Sequence, residues 1–154
     1  MRNPKTSTAD FRKFSDRVMR LLLEEALGQE EFHTTWVLTL TGGEYDNYEF
    51  KYKWEDFCVI SIIRAGCSMI NEAFELMPGV AVGKILIQRD ENTEHKSPVF
   101  FYEKVPKSIS KKHWIYLLDP MLGTGGSAST AIDWLMALGV DESKITFVNL
   151  ISCP

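Results

Sequence analysis

One run, Cys58-Val59-Ile60-Ser61-Ile62-Ile63, narrows the fold more than any other stretch of the chain. It is almost continuously apolar and β-branched, with no polar residue at every second position. A strand of that kind is buried on both faces, and strands are buried that way in sheets covered by helices on both sides. The segments that follow agree. Met69, Ile70, Ala73, Phe74 and Met77 recur at helical spacing and stop at Pro78-Gly79. Lys84 to Gln88, Val99 to Tyr102 and Trp114 to Leu118 read as strands. Ala128, Ala131, Ile132, Leu135 and Met136 mark a helix that runs to Gly139, and Ile145 to Ile151 is the last strand. Strands alternating with helices predict an α/β fold with a mostly parallel sheet flanked by helices.

The N-terminal part is different. Phe11, Phe14, Val18, Leu21, Leu22 and Glu25 recur near a 3.6-residue period, so residues 10–29 are expected to form a helix that buries this face. Ser7 with Asp10 resembles a capping pair, and Gly28 marks the end. Thr35 to Leu40 and Tyr48 to Tyr52 are strand-like, with Gly42-Gly43 and Asp46-Asn47 as turn residues, which predicts a hairpin or arm. The 154 residues are too few for two ordinary domains, so residues 1–154 are expected to be one domain: helix and arm over 1–55, α/β core over 56–154.

Composition excludes several classes. With 45% hydrophobic and 25% charged residues the chain is not a disordered one. No stretch approaches the roughly 20 apolar residues of a membrane span. Met1 to Thr6 lacks the apolar core of a secretory signal. A net charge of −4 argues against a general nucleic-acid binder. Cys58, Cys67 and Cys153 are scattered, and His33, His95 and His113 do not cluster with them. No zinc site, other protein metal site or disulfide framework is expected, and the setting is expected to be the cytoplasm.

Chemistry is expected at the carboxyl ends of the strands, where open α/β sheets bind ligands. The strongest signal is Asp119-Pro120-Met121-Leu122-Gly123-Thr124-Gly125-Gly126-Ser127, between a strand and a helix. Its glycines let backbone N–H groups converge on a ligand, and the helix adds the positive end of its dipole. Thr124 and Ser127 add hydroxyls, so the loop suits a phosphate monoester. Asp119 can accept hydrogen bonds from sugar hydroxyls, and together these fit a ribose phosphate. A plain glycine-rich turn is the alternative. There is no lysine before Ser127, which sets a Walker loop aside. Gly123 to Ala128 does match the dinucleotide pattern GxGxxG/A, but four residues separate it from the strand, and the next strand ends in Ser152-Cys153 rather than an acid.

A second loop, Arg64-Ala65-Gly66, follows the buried strand, and its arginine and small residues suit a diphosphate. Arg89 stands at a third strand end, and Glu91 to Lys96 reads as a lid. With no GxSxG elbow, and Cys67 more simply a core residue, the site is built for positioning and electrostatics rather than for a protein nucleophile.

These residues resemble the uracil phosphoribosyltransferases. The similarity lies in Ile63-Arg64-Ala65-Gly66, Gly83 to Glu91, Phe101-Tyr102-Glu103-Lys104-Val105-Pro106 and the long loop Asp119 to Ser127, in the family's order, with Thr41 to Tyr45 and the first helix similar too. The resemblance implies a type I phosphoribosyltransferase fold with an N-terminal helix and β-arm. It implies transfer of ribose 5-phosphate from phosphoribosyl diphosphate (PRPP) to N1 of uracil, giving UMP and pyrophosphate. It makes Asp119, Arg64 and Arg89 the catalytic candidates. PRPP would be held by Arg64, Ala65, Gly66, Arg89, Asp119, Pro120, Met121, Leu122, Gly123, Thr124, Gly125, Gly126 and Ser127. Tyr102 would lie in a flexible segment, and Mg2+ would be held mainly by the diphosphate. A homo-dimer or homo-tetramer and GTP as an activator are further implications. The chain departs at Gly123, where the family usually has Ala. It also has no Gly-Asp pair after Asp119, whereas the family's base-reading Gly-Asp-x-Gly-Asp lies beyond the position of Pro154. The chain is therefore expected to be C-terminally truncated and to carry the PRPP half of the site. The readings that remain open beside the enzyme are a non-catalytic PRPP-binding module and a dinucleotide-binding domain.

Overall fold

A computed structural model describes residues 3–89 and 98–153, with the side chain of Arg89 outside the description. Helix α1 (Thr8–Leu27) starts as its sequence requires: Ser7 is the N-cap, its Oγ accepting from the Asp10 N–H and donating to the Asp10 carboxylate. The face it buries is not the expected one. Ser15, Met19, Leu23 and Leu27 are buried, while Phe11, Phe14, Val18 and Leu21 are exposed. Two apolar stripes lie side by side on this helix, and periodicity alone cannot choose between them. The sheet chooses the one that Leu22 and Ala26 widen, which packs against Phe57, Val59, Tyr116, Leu118 and Val148.

Strands β1 (Phe32–Leu38) and β2 (Glu44–Phe50) form the expected antiparallel arm, turning at residues 39–43. Asp46 and Asn47 are not turn residues but lie inside β2, opposite Trp36 and Thr35. The Asn47 amide bonds across to Thr35 Oγ1 and along the strand to Glu49, so a residue type typical of turns is held by the ladder. Both faces of the arm are largely exposed, with Trp36, Leu38, Leu40 and Tyr48 open to solvent.

The core sheet has the order β5-β4-β3-β6-β8. Its strands are β3 (Phe57–Ile63), β4 (Ala81–Arg89), β5 (Pro98–Lys104), β6 (Trp114–Leu118) and β8 (Ile145–Val148). All are parallel to β3 except β5, which pairs antiparallel with β4 at one edge. The run that announced the fold is buried as expected: Phe57 to Ile62 are at most 4% exposed. Alternation assigns its residues to two cores. Phe57 and Val59 join Tyr116, Leu118, α1 and helix α2 (Ile70–Leu76) on one face. Cys58, Ile60 and Ile62 join Ile85, Ile115, Leu117 and helix α3 (Gly126–Ala137) on the other. The result is a three-layer α/β/α fold, with the carboxyl ends of β3, β4, β6 and β8 along one edge.

The final strand differs from expectation. It breaks after Val148, and Ile151–Ser152 forms β9, which leaves the sheet and pairs in parallel with β7 (Met121–Leu122). At the opposite edge, the Tyr116 hydroxyl donates to the buried Glu30 carboxylate, which His113 also approaches at 3.7 Å. The His113 ring stacks on Tyr52 at 3.4 Å, so this cluster ties the base of the arm to the sheet.

Candidate functional site

The two strongest loops of the sequence rise from neighbouring strands. Since Ser61 pairs with Leu118 in the β3–β6 ladder, the chain leaves both strands side by side. After β3 the Ile63–Arg64 peptide is cis, and a 3-10 turn covers Ala65–Met69. The Cys67 N–H donates to the Arg64 carbonyl, and Ser68 Oγ to the Ala65 carbonyl. Gly66 is buried, and a Cβ added there would stand 2.2 Å from the carbonyl oxygen of Leu118. Only glycine fits, and this approach locks the Arg64 loop against the end of β6. Arg64 itself is exposed.

After β6 the chain passes through Asp119, the short β7 and the glycines into α3. Gly125 is the residue before the helix, with φ of 80°, a conformation that any other L-residue except Asn or Asp rarely takes. The helix therefore begins at Gly126, and Ser127 lies in its first turn, with the N–H groups of that turn at the helix's positive end. Asp119 and residues 121–128 line one concave surface. This gathers the sequence-derived residues Asp119, Met121, Leu122, Gly123, Thr124, Gly125, Gly126 and Ser127 into one cradle. Pro120 faces a neighbouring groove instead. Asp119 is half-buried, and its carboxyl is pushed above the usual range by loss of water, opposed by a hydrogen bond from the Met121 N–H.

Arg89 ends β4 on the same edge of the sheet. The lid expected over Glu91 to Lys96 lies outside the described residues. Tyr102 stands within β5 opposite Leu86, with its side chain half exposed. Cys67 is half-buried with its Sγ 3.6 Å from Ser61 Oγ. The Cys58 thiol is pushed up to about 12 by burial, which leaves it inert as a nucleophile at neutral pH. Among the described residues no three His, Cys, Asp or Glu side chains converge as a metal cage. No helix among them is long and apolar enough to cross a membrane.

Two features escaped sequence reasoning. An apolar groove of about 610 Å³ runs between the two loops and α1, lined by Arg64, Ala65, Pro120, Met121, Met19 and Ile151 among others. And β9 clasps the start of the long loop: the N–H groups of Leu150 and Ile151 both donate to the Pro120 carbonyl, and that of Cys153 to Leu122. A two-residue parallel ladder has no sequence signature, so neither was legible.

The fold is that of the phosphoribosyltransferases. A solved hypoxanthine-guanine phosphoribosyltransferase from Bacillus anthracis superposes on 93% of the chain and 71% of its own, with a TM-score of 0.64 at 9% identity. The AQ2163 protein from Aquifex aeolicus superposes on 97% of the chain and 68% of its own, with a TM-score of 0.76 at 27% identity. The chain belongs to the uracil phosphoribosyltransferase family, whose model matches residues 1–154. It is 43% identical over 154 residues to the uracil phosphoribosyltransferase of Dictyostelium discoideum and 44% identical over 151 residues to that of Saccharomyces cerevisiae. It spans 68% and 67% of their lengths. It is also 44% identical to the uridine kinase-like protein 3 of Arabidopsis thaliana, of which it spans 32%.

Proposed function

We propose that the protein binds PRPP in this site and transfers its ribose 5-phosphate to N1 of uracil, releasing pyrophosphate and forming UMP. The observation that carries the reading is the juxtaposition of two anion-suited loops across the β3–β6 boundary, one opening a helix and one presenting an arginine. In this reading the N–H groups and hydroxyls of Thr124 to Ser127 hold the 5′-phosphate. Asp119 accepts from the ribose hydroxyls, and burial within the protein already raises its carboxyl. The exposed Arg64, with the backbone of Ala65 and Gly66, holds the diphosphate, and Arg89 helps to neutralise it. Charge builds on the departing diphosphate as the glycosidic bond breaks, so groups fixed around it lower the barrier without a covalent intermediate.

The donor set fits a Mg2+ ion carried by the substrate, because among the described residues the cradle offers Asp119 as its one acidic side chain and this ion binds through few carboxylates and several phosphate oxygens. When bound, the ion neutralises leaving-group charge. Uracil as the acceptor rests on membership of the family. The exposed Trp36, Leu38 and Leu40 of a two-stranded arm support assembly with a second copy of the chain, since an isolated hairpin is marginal. Activation by GTP and a cytoplasmic setting complete the reading as expectations.

The test is UMP formation from uracil and PRPP with Mg2+. Arg64→Ala and Asp119→Asn are each expected to lower the rate about 100-fold or more while the fold is kept. Wild-type rates in either variant would sink the site assignment. PRPP binding without UMP formation would make the chain a non-catalytic PRPP module.

A further inference from the structure

We infer that residues 150–153 are positioning residues for phosphoribosyl recognition, aligning the Asp119 carboxylate and the start of the long loop through backbone hydrogen bonds. The inference rests on the PRPP reading above and deepens it. Within the loop from Asp119 to Gly125, Pro120 has no N–H, and Gly123 and Gly125 have no side chains to pack. The segment that follows β8 holds the loop's first residues by backbone hydrogen bonds. The N–H groups of Leu150 and Ile151 donate to the Pro120 carbonyl at 3.2 and 3.1 Å, and the Cys153 N–H donates to the Leu122 carbonyl at 2.9 Å.

The pleat converts these bonds into a direction. Along an extended strand, successive peptide groups point to opposite sides. Once the carbonyls of residues 120 and 122 are turned toward β9, the N–H of the residue between them is turned away. That N–H, of Met121, faces the Asp119 carboxylate and opposes the rise of its pKa. Asp119 is held from its other side as well, its own N–H donating to the Val148 carbonyl at 3.3 Å. The stretch from Val148 to Cys153 thus brackets the acid. Leu150 and Ile151 also line the apolar groove shared with Arg64 and Ala65. A displacement of β9 therefore reaches the hydroxyl acceptor directly, while the diphosphate loop is anchored separately through Gly66 on Leu118.

The test removes one N–H and leaves the rest. Cys153→Pro deletes the donor to Leu122, and Cys153→Ala keeps it while removing the thiol. In the full 154-residue chain, Cys153→Pro is expected to weaken binding of PRPP and of ribose 5-phosphate by about five- to tenfold, the loss of one hydrogen bond. Binding of inorganic pyrophosphate, read at the Arg64 loop alone, is expected to stay unchanged, and Cys153→Ala is expected to behave as the parent chain. Unchanged ribose 5-phosphate affinity in Cys153→Pro would overturn the inference, as would an equal loss for pyrophosphate, which a general weakening of the fold produces. If the parent chain bound no PRPP, the underlying reading would fail instead. Amide exchange of the parent chain covers a variant that does not fold. Addition of PRPP is expected to slow Leu150, Ile151 and Cys153 together with residues 119–125, and slowing confined to 119–125 would contradict the inference.

Discussion

Burial sets a stability cost at Asp119. Burial raises its carboxyl above the ordinary value, so the folded chain holds that proton more tightly than the unfolded chain does. Stability from this group is therefore present at acid pH and falls as pH rises through the interval between the ordinary and the raised value. Asp119→Asn is expected to melt at a higher temperature than the parent chain at pH 7, with the difference vanishing below the carboxylate range, while PRPP binding is weakened. Thermal melts across pH read both arms, and an unchanged melting point at pH 7 would contradict the burial argument. Gly66 makes the opposite case. A methyl group 2.2 Å from the Leu118 carbonyl must displace one of the two loops, so Gly66→Ala is expected to cost about 1–3 kcal/mol in denaturant unfolding and to weaken pyrophosphate binding with it. The placement of Asp119, Arg64, Gly66 and Thr124 to Ser127 at neighbouring strand ends was legible because each loop is a contiguous run after an apolar strand. Glu30, His113 and Tyr116 were not, because the separation of 86 positions between Glu30 and Tyr116 closes only in the fold.

At the scale of elements, the strands that build the core were read correctly for one reason: Cys58 to Ile63 and Trp114 to Leu118 are apolar on both faces, and few environments accept that. Helix α1 was harder. Phe11, Phe14, Val18 and Leu21 form as regular a stripe as Met19, Leu23 and Leu27, and the choice belongs to the sheet rather than to the helix. The two stripes make different predictions. Leu23→Ala, at 1% exposure, is expected to cost about 2–5 kcal/mol by opening a cavity against Phe57 and Tyr116. Phe14→Ala, at 43% exposure, is expected to cost the unassembled chain far less. Equal losses in urea unfolding would mean that the helix is turned the other way. Asp46 and Asn47 show the converse error, since turn-forming residue types are overruled where cross-strand partners satisfy them. β9 was invisible because its order comes from carbonyls 30 residues away in the chain, not from its own pattern.

For the whole molecule, the arm and the site make separable claims. Trp36, at 75% exposure, and Leu38, at 70%, present apolar surface on a hairpin with no cover of its own among the described residues. Trp36→Glu with Leu38→Lys is expected to shift sedimentation from an assembled species to a single chain. PRPP binding should persist, because the cradle is built from β3, β6 and α3 of one chain. An unchanged sedimentation coefficient would remove the arm from the interface. Whether the loops after β3 and β6 together form a PRPP site is read by calorimetric titration of the 154-residue chain with PRPP in Mg2+, beside Arg64→Ala and Asp119→Asn. Saturable binding of one PRPP per chain, weakened in both variants, is the expected result. Binding that both variants retain, or no binding of PRPP while NAD binds, would contradict the account.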